Sequence, residues 1–276
     1  AGINRLSMGV QSFNDKALKT LGRIHSAKEA ATAIEAAQTA GFDNLNIDLM
    51  HGLPAQGVAG AMSDLQRAIE LGASHISWYQ LTIEPRTEFA KRTPVLPGEE
   101  TLGDIETEGL RRLADAGFAR YEVSAYSRAQ NQSKHNRNYW EFGDYLGIGA
   151  GAHGKLSYAN DSDTKTDTNK NPLAVIRTAQ PRQPRLYLQQ AKAQEWQIQR
   201  TQVANKELPS EFMMNALRLL DGVPEERFIE ATGIPLKDIE SPLLKWRRMG
   251  VIDSARLALT PMGLNALDTV VADFLP

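Results

Sequence analysis

Short apolar segments alternate with longer segments of helical pattern through roughly the first half of the chain. The apolar segments predict strands at 4–10, 45–50, 75–83 and 121–126. The intervening segments predict helices at about 15–22, 26–40, 62–71 and 99–116. The second helix has the strongest signals, because Ser26 and Glu29 have capping-box spacing and Gly41 follows its end.

Strands that alternate with helices at this spacing are typical of a parallel sheet or a βα barrel. Four such repeats make only part of a barrel, and a parallel strand needs a neighbour at each edge. The chain opens with Ala1, Gly2 and Ile3 immediately before a predicted strand. We therefore expect an α/β fold that is a partial barrel, cut inside a larger fold, whose first strands lie upstream of Ala1.

The second half of the chain has a different pattern. Residues 160–171 are rich in Asp, Ser, Thr, Asn and Lys, which predicts a polar loop. After Pro209, three helical segments precede two short apolar segments at 251–253 and 257–259, the layout of a winged-helix module. We therefore predict three parts, listed here in order: a partial barrel with extension strands at 1–159, a polar loop and linker at 160–208, and a winged-helix-like domain at 209–276.

Composition narrows the possible functions. The chain has 276 residues, 42% of them hydrophobic, and a formal net charge of −2, so no global attraction to nucleic acid is expected. No apolar run approaches the roughly 20 residues of a membrane-spanning helix, and we expect a cytoplasmic protein without a transmembrane segment. The sequence has no cysteine, which excludes disulfides and Cys-ligated zinc or iron–sulfur sites from these residues.

Polar residues at strand ends are the first candidates for a site, because side chains from several barrel strands converge there. Gln11 ends the first predicted strand, Asp48 lies in the second, and Gln80 and Glu84 lie in or at the end of the third. A carboxylate and an amide at neighbouring strand ends suit the vicinal hydroxyls of a ribose. The alternative for Asp48 is a helix-capping or salt-bridged structural carboxylate.

Three consecutive blocks carry a resemblance to a known family. They are RLSMGVQSF at 5–13, LGRIHS at 21–26 and NIDLMHGLP at 46–54, with Gln11 and Arg23 separated by 12 positions and Gln11 and Asp48 by 37. Their order and spacing resemble the HemN/HemW branch of the radical S-adenosylmethionine superfamily. The resemblance continues through SWYQL at 77–81 and GIGAGAH at 147–153 to the C-terminal module. It implies a partial radical-SAM barrel followed by the C-terminal domain of that branch.

The resemblance also implies a ligand for the strand ends. In the family, residues that match Gln11 and Asp48 hold the ribose hydroxyls of S-adenosylmethionine, and the residue that matches Arg23 meets its carboxylate. The chemistry agrees, since a guanidinium offers a planar fork to a carboxylate. The alternative for Arg23 is a surface ion pair.

One departure from the family is severe. Members carry a CxxxCxxC loop whose thiolates hold a 4Fe-4S cluster, together with a glycine-rich block that meets the methionine amino group. Neither is present in these 276 residues. Without the cluster no electron reaches the sulfonium, so we expect this chain to be inactive in radical chemistry by itself and the cluster to belong to the full-length protein only.

The segment HNRNYW at 135–140 is the candidate for haem. It is similar to the HNxxYW block that distinguishes HemW-type proteins and is associated with haem binding, which implies roles for His135, Asn136, Tyr139 and Trp140. His135 is the candidate iron ligand and the aromatic rings are the candidate wall. The alternatives are ordinary packing of a loop, or His153 as the axial ligand.

Two further segments have structural alternatives that we favour. The glycine-rich run at 147–154 fits neither dinucleotide nor Walker spacing, so tight backbone packing is expected there. Basic residues at 245–248 suggest a nucleic-acid interface, yet Glu225, Glu226 and Glu230 lie nearby in the same module. We therefore expect no nucleic-acid partner.

The leading hypothesis is a haem-binding chaperone of the HemW type, which passes haem to an acceptor protein and uses S-adenosylmethionine as a cofactor. The rival is an oxygen-independent coproporphyrinogen III oxidase with a porphyrin substrate, and a third class is a winged-helix regulator. The block at 135–140 favours the chaperone. The sequence leaves both a chaperone and part of an enzyme as alternatives.

Overall fold

The structure is a computed structural model that describes residues 2–159, 173–194 and 198–276. Within it the chain forms two units, Ala1–Gln132 and Ser133–Pro276. The division after Gln132 falls earlier than the predicted boundary at residue 159, because the segment that follows packs with the C-terminal half of the chain.

The first unit is a five-stranded sheet with helices on one face. Its strands are β1 (Arg5–Gln11), β2 (Asn44–His51), β3 (His75–Gln80), β4 (Ala119–Glu122) and β5 (Ala125–Ser127). They lie in the order β1-β2-β3-β5-β4. Its helices are α1 (Asp15–Thr20), α2 (Ala27–Thr39), α3 (Val58–Glu70), α4 (Glu88–Lys91) and α5 (Glu99–Asp115). The β1, β2 and β3 strands are parallel, as the βα pattern predicts.

The two faces of the parallel strands differ in chemistry. One face carries apolar side chains, including Leu45, Ile47 and Ile76, which are fully buried in a core with α2, α3 and α5. His51 also lies on that face, and its ring contacts that of Trp78 at a tilt of 36°, with ring centroids 4.2 Å apart. Alternate residues point to the opposite face, which we call the polar face. Its members include Ser7, Gly9, Gln11, Asn46, Asp48, His75, Ser77 and Tyr79.

The capping-box prediction for α2 is confirmed. The Ser26 hydroxyl accepts from the backbone N–H of Glu29, and the Glu29 carboxylate accepts from the backbone N–H of Ser26 at 2.8 Å. Gly41 follows the helix with a φ of 88°, a conformation that glycine adopts without the strain of a side chain.

The predicted fourth parallel strand at 121–126 is wrong. The segment is split into β4 and β5, which pair antiparallel with each other, and β5 pairs antiparallel with β3. The chain reverses between them, where the Ser124 carbonyl accepts from the backbone N–H of Trp78 at 2.8 Å. Neither glycine nor proline occurs at this reversal, so the alternation of polar and apolar residues continues through it and conceals the turn.

The second unit contains an antiparallel sheet and the C-terminal helices. Its strands are β6 (His153–Ala159), β7 (Leu173–Ala179) and β8 (Gln199–Gln202), in that order. Its helices are α6 (Lys134–Trp140), α7 (Pro184–Ala193), α8 (Leu208–Ala216), α9 (Glu225–Thr232), α10 (Glu240–Arg248) and α11 (Leu267–Ala272). Short 3-10 turns at Asn205–Glu207, Leu236–Ile239 and Leu264–Ala266 precede α8, α10 and α11.

The segment 160–208 differs from the polar loop and linker that its composition predicts. Where the structure describes it, the segment forms β7, α7 and β8, because apolar residues such as Val175 are buried in the core of the second unit. The polar loop predicted at 160–171 lies outside the described residues.

The C-terminal module has the predicted three helices followed by a short pairing. Phe212, Phe228 and Trp246, from α8, α9 and α10 in turn, are buried in one core. The predicted hairpin is reduced to an antiparallel bridge between Ile252 and Leu259. Among the described residues, no helix combines the length and the apolar character that crossing a bilayer requires.

Candidate functional site

Gln11 lies at the end of β1 in an unusual backbone conformation. Its φ is 72°, and the pairing of β1 with β2 shifts between Gly9 and Gln11. Only a few per cent of non-glycine residues adopt a positive φ, and such strain is concentrated at functional sites. The conformation brings the Gln11 amide over Gly9, where a Cβ atom would lie 2.8 Å from Gln11 Nε2. Gln11 therefore projects onto the polar face.

The turn after Gln11 is held by a buried carboxylate that sequence reasoning missed. Asp64, on α3, accepts from the Ser12 hydroxyl at 2.7 Å and from the Phe13 backbone N–H at 2.7 Å. Burial raises the pKa of Asp64, against the lowering effect of these two hydrogen bonds. The available signal was an acidic residue on the apolar face of α3, which also buries Ala61, Leu65 and Ala68.

Asp48 lies in β2, between Gly9 of β1 and Ser77 of β3 in the register. Its side chain is half-buried, and its Oδ1 atom accepts from Asn46 Nδ2 at 2.7 Å. Ser7 Oγ donates more weakly to Oδ2, at 3.4 Å. Asp48 forms no ion pair with a described residue and caps no helix, so neither structural alternative for this carboxylate is present.

Tyr79 brings the strand-end candidates together. Its hydroxyl donates to Gln11 Oε1 at 2.9 Å. Burial raises the pKa of Tyr79, and the negative charge of Asp48 raises it further, while the positive charge of Arg23 and the bond to Gln11 lower it. Gln11, Asp48 and Arg23 are therefore all near the Tyr79 phenol. Tyr79 is part of the SWYQL block, but the sequence alone did not indicate it as a site residue.

Arg23 is exposed in the segment after α1, where its backbone N–H donates to the carbonyl of Leu18 at 2.9 Å. Its guanidinium forms no ion pair with any described residue, in contrast to the surface pair that was the alternative. A guanidinium that lies beside the polar face without an acidic partner can donate hydrogen bonds to a ligand carboxylate.

Gln80 and Glu84 do not join this group. Gln80 is the last residue of β3 and, being next to Tyr79, points to the other side of the sheet. Glu84 follows the strand in an exposed loop. The three polar side chains that remain, Gln11, Asp48 and Arg23, fit a nucleoside that carries a carboxylate. Asp48 supplies acceptors for hydroxyl groups, Gln11 supplies an amide, and Arg23 supplies a cation.

The second candidate site, at 135–140, is the helix α6 and not a loop. Ser133 caps the helix, since its hydroxyl accepts from the backbone N–H of Asn136 at 3.2 Å. The same hydroxyl lies 3.0 Å from Asn136 Oδ1, so the Asn136 side chain takes part in the helix start.

His135 and Tyr139 lie on the same face of α6, because residues four apart on a helix are neighbours. Their rings are edge to face, with centroids 4.5 Å apart, and Tyr139 makes a similar contact with Tyr145 at 4.4 Å. His135 is exposed, whereas burial raises the pKa of Tyr139. An exposed imidazole beside two phenol rings offers a nitrogen ligand and an aromatic surface.

Trp140 lies elsewhere. It packs against the core of the second unit, the Arg218 guanidinium lies 4.8 Å from its ring centroid, and its buried Nε1 atom has no hydrogen-bond partner. A helical step of five residues turns it well away from His135. The helix therefore separates Trp140 from the His135–Tyr139 face, in contrast to the continuous wall that the sequence suggested.

The glycine-rich run at 147–153 forms tight backbone packing. A Cβ atom at Gly147 would lie 2.4 Å from the His153 carbonyl oxygen, and Gln180 Nε2 donates to the Gly147 carbonyl at 3.1 Å. His153 begins β6 and is exposed. Leu146 and Ile148 are also exposed, at 73% and 82%.

Two other expectations concern metals and nucleic acid. Among the described residues, no group of three or more His, Cys, Asp or Glu side chains is arranged to hold a metal ion. With no cysteine in the sequence, the residues present do not fit a thiolate-bound cluster. In the C-terminal module, Lys245 pairs with Asp273 at 2.5 Å and Arg247 with Glu225 at 2.6 Å, so two of its basic side chains have acidic partners.

Comparisons with known proteins identify relatives of this chain. Residues 203–264 match the HemN C-terminal domain family. The structure resembles that of the coproporphyrinogen III oxidase HemN from Escherichia coli, a radical SAM enzyme, with a TM-score of 0.73 at 20% identity over 99% of this chain and 64% of that one. At that identity the similarity shows the fold alone.

Proteins named heme chaperone HemW are more similar in sequence. The one from Haemophilus influenzae is 46% identical over 88% of this chain and 59% of its own length. The one from Escherichia coli is 45% identical over 88% and 60%. This chain thus spans about three-fifths of the length of these relatives. The one from Buchnera aphidicola (Acyrthosiphon pisum) is 37% identical over 100% of this chain and 69% of its own length, and the chain accordingly belongs to the HemW family of radical S-adenosylmethionine proteins.

Proposed function

We propose that this chain is the haem-handling part of a HemW-type chaperone, which binds haem and passes it to an acceptor protein in the cytoplasm. The observation that carries the proposal is the exposed imidazole of His135, edge to face with Tyr139 and 4.5 Å from it between centroids. The names of the relatives that are 45–46% identical support the same function. The composition of the chain supports the cytoplasmic location.

The His135–Tyr139 face has the groups that haem needs. His135 is the proposed axial ligand to the iron, since an exposed imidazole can present a neutral nitrogen without reorganising a core. Tyr139 and Tyr145 offer ring surface to the porphyrin. Asn136, at the start of α6, is proposed as a further haem contact. Trp140 packs on the opposite side of the helix, against the core of the second unit.

The polar face of the first unit is the proposed site of S-adenosylmethionine. Asp48 and Gln11 are the proposed partners of the ribose hydroxyls, and Arg23 is the proposed partner of the carboxylate. The support is their common position around Tyr79. The bound sulfonium supplies a radical only where a cluster delivers an electron, and these residues offer no thiolate for one, so the 4Fe-4S cluster is proposed for a full-length protein only.

Haem titration of the 276-residue chain tests the proposal. The parent should give a shifted Soret band, and His135→Ala should weaken haem binding at least about tenfold, because an axial bond is lost. The matched control is His153→Ala, which removes the other exposed histidine of the second unit and should leave affinity unchanged.

Two results would contradict this assignment. If His153→Ala abolishes the Soret shift while His135→Ala does not, the ligand lies in the glycine-rich segment. If the parent binds a porphyrin without iron as tightly as haem, no axial ligand is involved, and a porphyrin substrate becomes the better explanation.

A further inference from the structure

A buried chain of hydrogen bonds leads to the Asp48 carboxylate. Tyr121, on β4, lies 2.8 Å from His75 Nε2, and His75 Nδ1 lies 2.6 Å from Asn46 Oδ1. Asn46 Nδ2 then donates to Asp48 Oδ1 at 2.7 Å. His75 is fully buried and Asn46 is 2% exposed, whereas Asp48 is half-buried on the polar face. This series of hydrogen bonds thus connects the interior of the first unit to Asp48, one of the side chains of the proposed nucleoside site.

The orientation of the Asn46 amide is fixed by its neighbours. Nδ2 has two hydrogens, which go to Asp48 Oδ1 and to Ser7 Oγ at 2.6 Å. Oδ1 has two lone pairs, which accept from His75 Nδ1 and from Ser77 Oγ at 3.1 Å. All four positions of the amide are satisfied, and a flipped amide would turn its oxygen towards the Asp48 carboxylate.

The same arrangement fixes the tautomer of His75. Because Asn46 Oδ1 can only accept, His75 Nδ1 carries the proton and donates. Burial and, to a smaller extent, the nearby charge of Arg5 lower the pKa of His75 to about 3, so the ring is neutral at physiological pH. Nε2 is then an acceptor for the Tyr121 hydroxyl. Every donor in the chain points towards Asp48, and hydrogen bonds aligned in this way reinforce one another.

We infer that His75, acting through Asn46, is a positioning residue that holds the Asp48 carboxylate in the orientation that accepts the ribose hydroxyls of the nucleoside. The inference rests on the proposed function in that Asp48 must be the ribose partner. It assigns a positioning role to two buried residues, His75 and Asn46.

The geometry explains why Asp48 needs such support. Its side chain forms no ion pair with a described residue, and the bond from Ser7 is long, at 3.4 Å. The bond from Asn46 is therefore the main restraint on rotation of the carboxylate. Without it, the ligand would have to order the carboxylate on binding, and part of the binding free energy would be lost.

Ribose discrimination is the readout that separates positioning from simple stability. Calorimetric titration of the 276-residue chain would compare S-adenosylhomocysteine with its 2′-deoxy analogue. The parent should prefer the ribose ligand about tenfold, the value of one hydrogen bond to a charged acceptor. His75→Leu should reduce that preference to less than about threefold, and His75→Asn, which keeps a donor near the Nδ1 position, should restore most of it.

The matched control is Ile76→Ala, the next residue of β3, which is fully buried on the opposite, helix-covered face. It should lower the melting temperature without changing the ribose preference. If Ile76→Ala and His75→Leu reduce the preference equally, His75 contributes only stability and the inference is overturned.

Asp48→Asn distinguishes failure of the inference from failure of the proposed site. If the parent shows no preference, or if Asp48→Asn leaves it unchanged, Asp48 is not the ribose partner and both ideas fail. If Asp48→Asn removes the preference while His75→Leu and Asn46→Leu keep it, the site stands and the positioning role alone is wrong.

Discussion

At the scale of single residues, His51 makes the first unit sensitive to acid. Burial against Trp78 lowers the pKa of His51 to about 4, and its Nδ1 atom is buried without a hydrogen-bond partner. In the unfolded chain this histidine has the ordinary pKa of about 6.5, so below that pH the unfolded state binds a proton that the folded state does not bind. The contribution of neutral His51 to the free energy of unfolding is therefore fully present above about pH 6.5, and it decreases as the pH falls towards 4.

A substitution isolates this effect. His51→Phe keeps an aromatic ring against Trp78 and removes the titrating group. When the pH is lowered from 7.5 to 5, the free energy of unfolding of the parent should decrease by about 2 kcal/mol more than that of the variant. Urea denaturation at the two pH values measures both decreases. Equal losses in the two proteins would mean that the imidazole is accessible to protons in the folded state. His75 remains in both proteins, so its own contribution cancels in the comparison.

At the scale of elements, α5 packs on β3 through a glycine. A Cβ atom at Gly109 would lie 2.0 Å from the Trp78 ring, so the helix approaches the sheet closely only because the side chain is absent. Gly109→Ala should lower the free energy of unfolding by about 1–3 kcal/mol, despite the higher helix propensity of alanine. Gly103→Ala on the same helix is the control, since nothing lies within 4 Å of its added Cβ.

The control should change in the opposite direction. Gly103 is exposed, and alanine in its place should raise the free energy of unfolding by up to about 1 kcal/mol. Denaturant titrations of both variants test the pair. Destabilisation of similar size at both positions would contradict the close contact between Gly109 and Trp78.

Elements were predictable where their signals are local. The boundaries of α2 follow from Ser26, Glu29 and Gly41, which act within one turn of the helix. The reversal between β4 and β5 was not predictable, because it depends on pairing with β3, which is distant in sequence. Likewise, Gln11 and Asp48 were predictable from their positions in the strands, whereas the bond from His75 to Asn46 requires knowledge of the register.

At the scale of the whole molecule, the composition determines which cofactor the chain can hold. After anaerobic reconstitution with iron and sulfide, the purified 276-residue chain should contain no 4Fe-4S cluster, because it has no thiolate. Iron analysis and the visible spectrum test this. A thiolate charge-transfer band with about four irons per chain would contradict it.

The position of β1 at the border of its sheet has a geometric consequence. β1 pairs with β2 on one side, and on its other side no described strand is its neighbour. A strand that aligns in parallel with that border, from this polypeptide or from another, continues the alternation of Ser7, Gly9 and Gln11. Every second side chain of such a strand would join the polar face. Its carboxyl end would reach the same rim as Gln11, so the border determines the direction from which additional ligand contacts can enter.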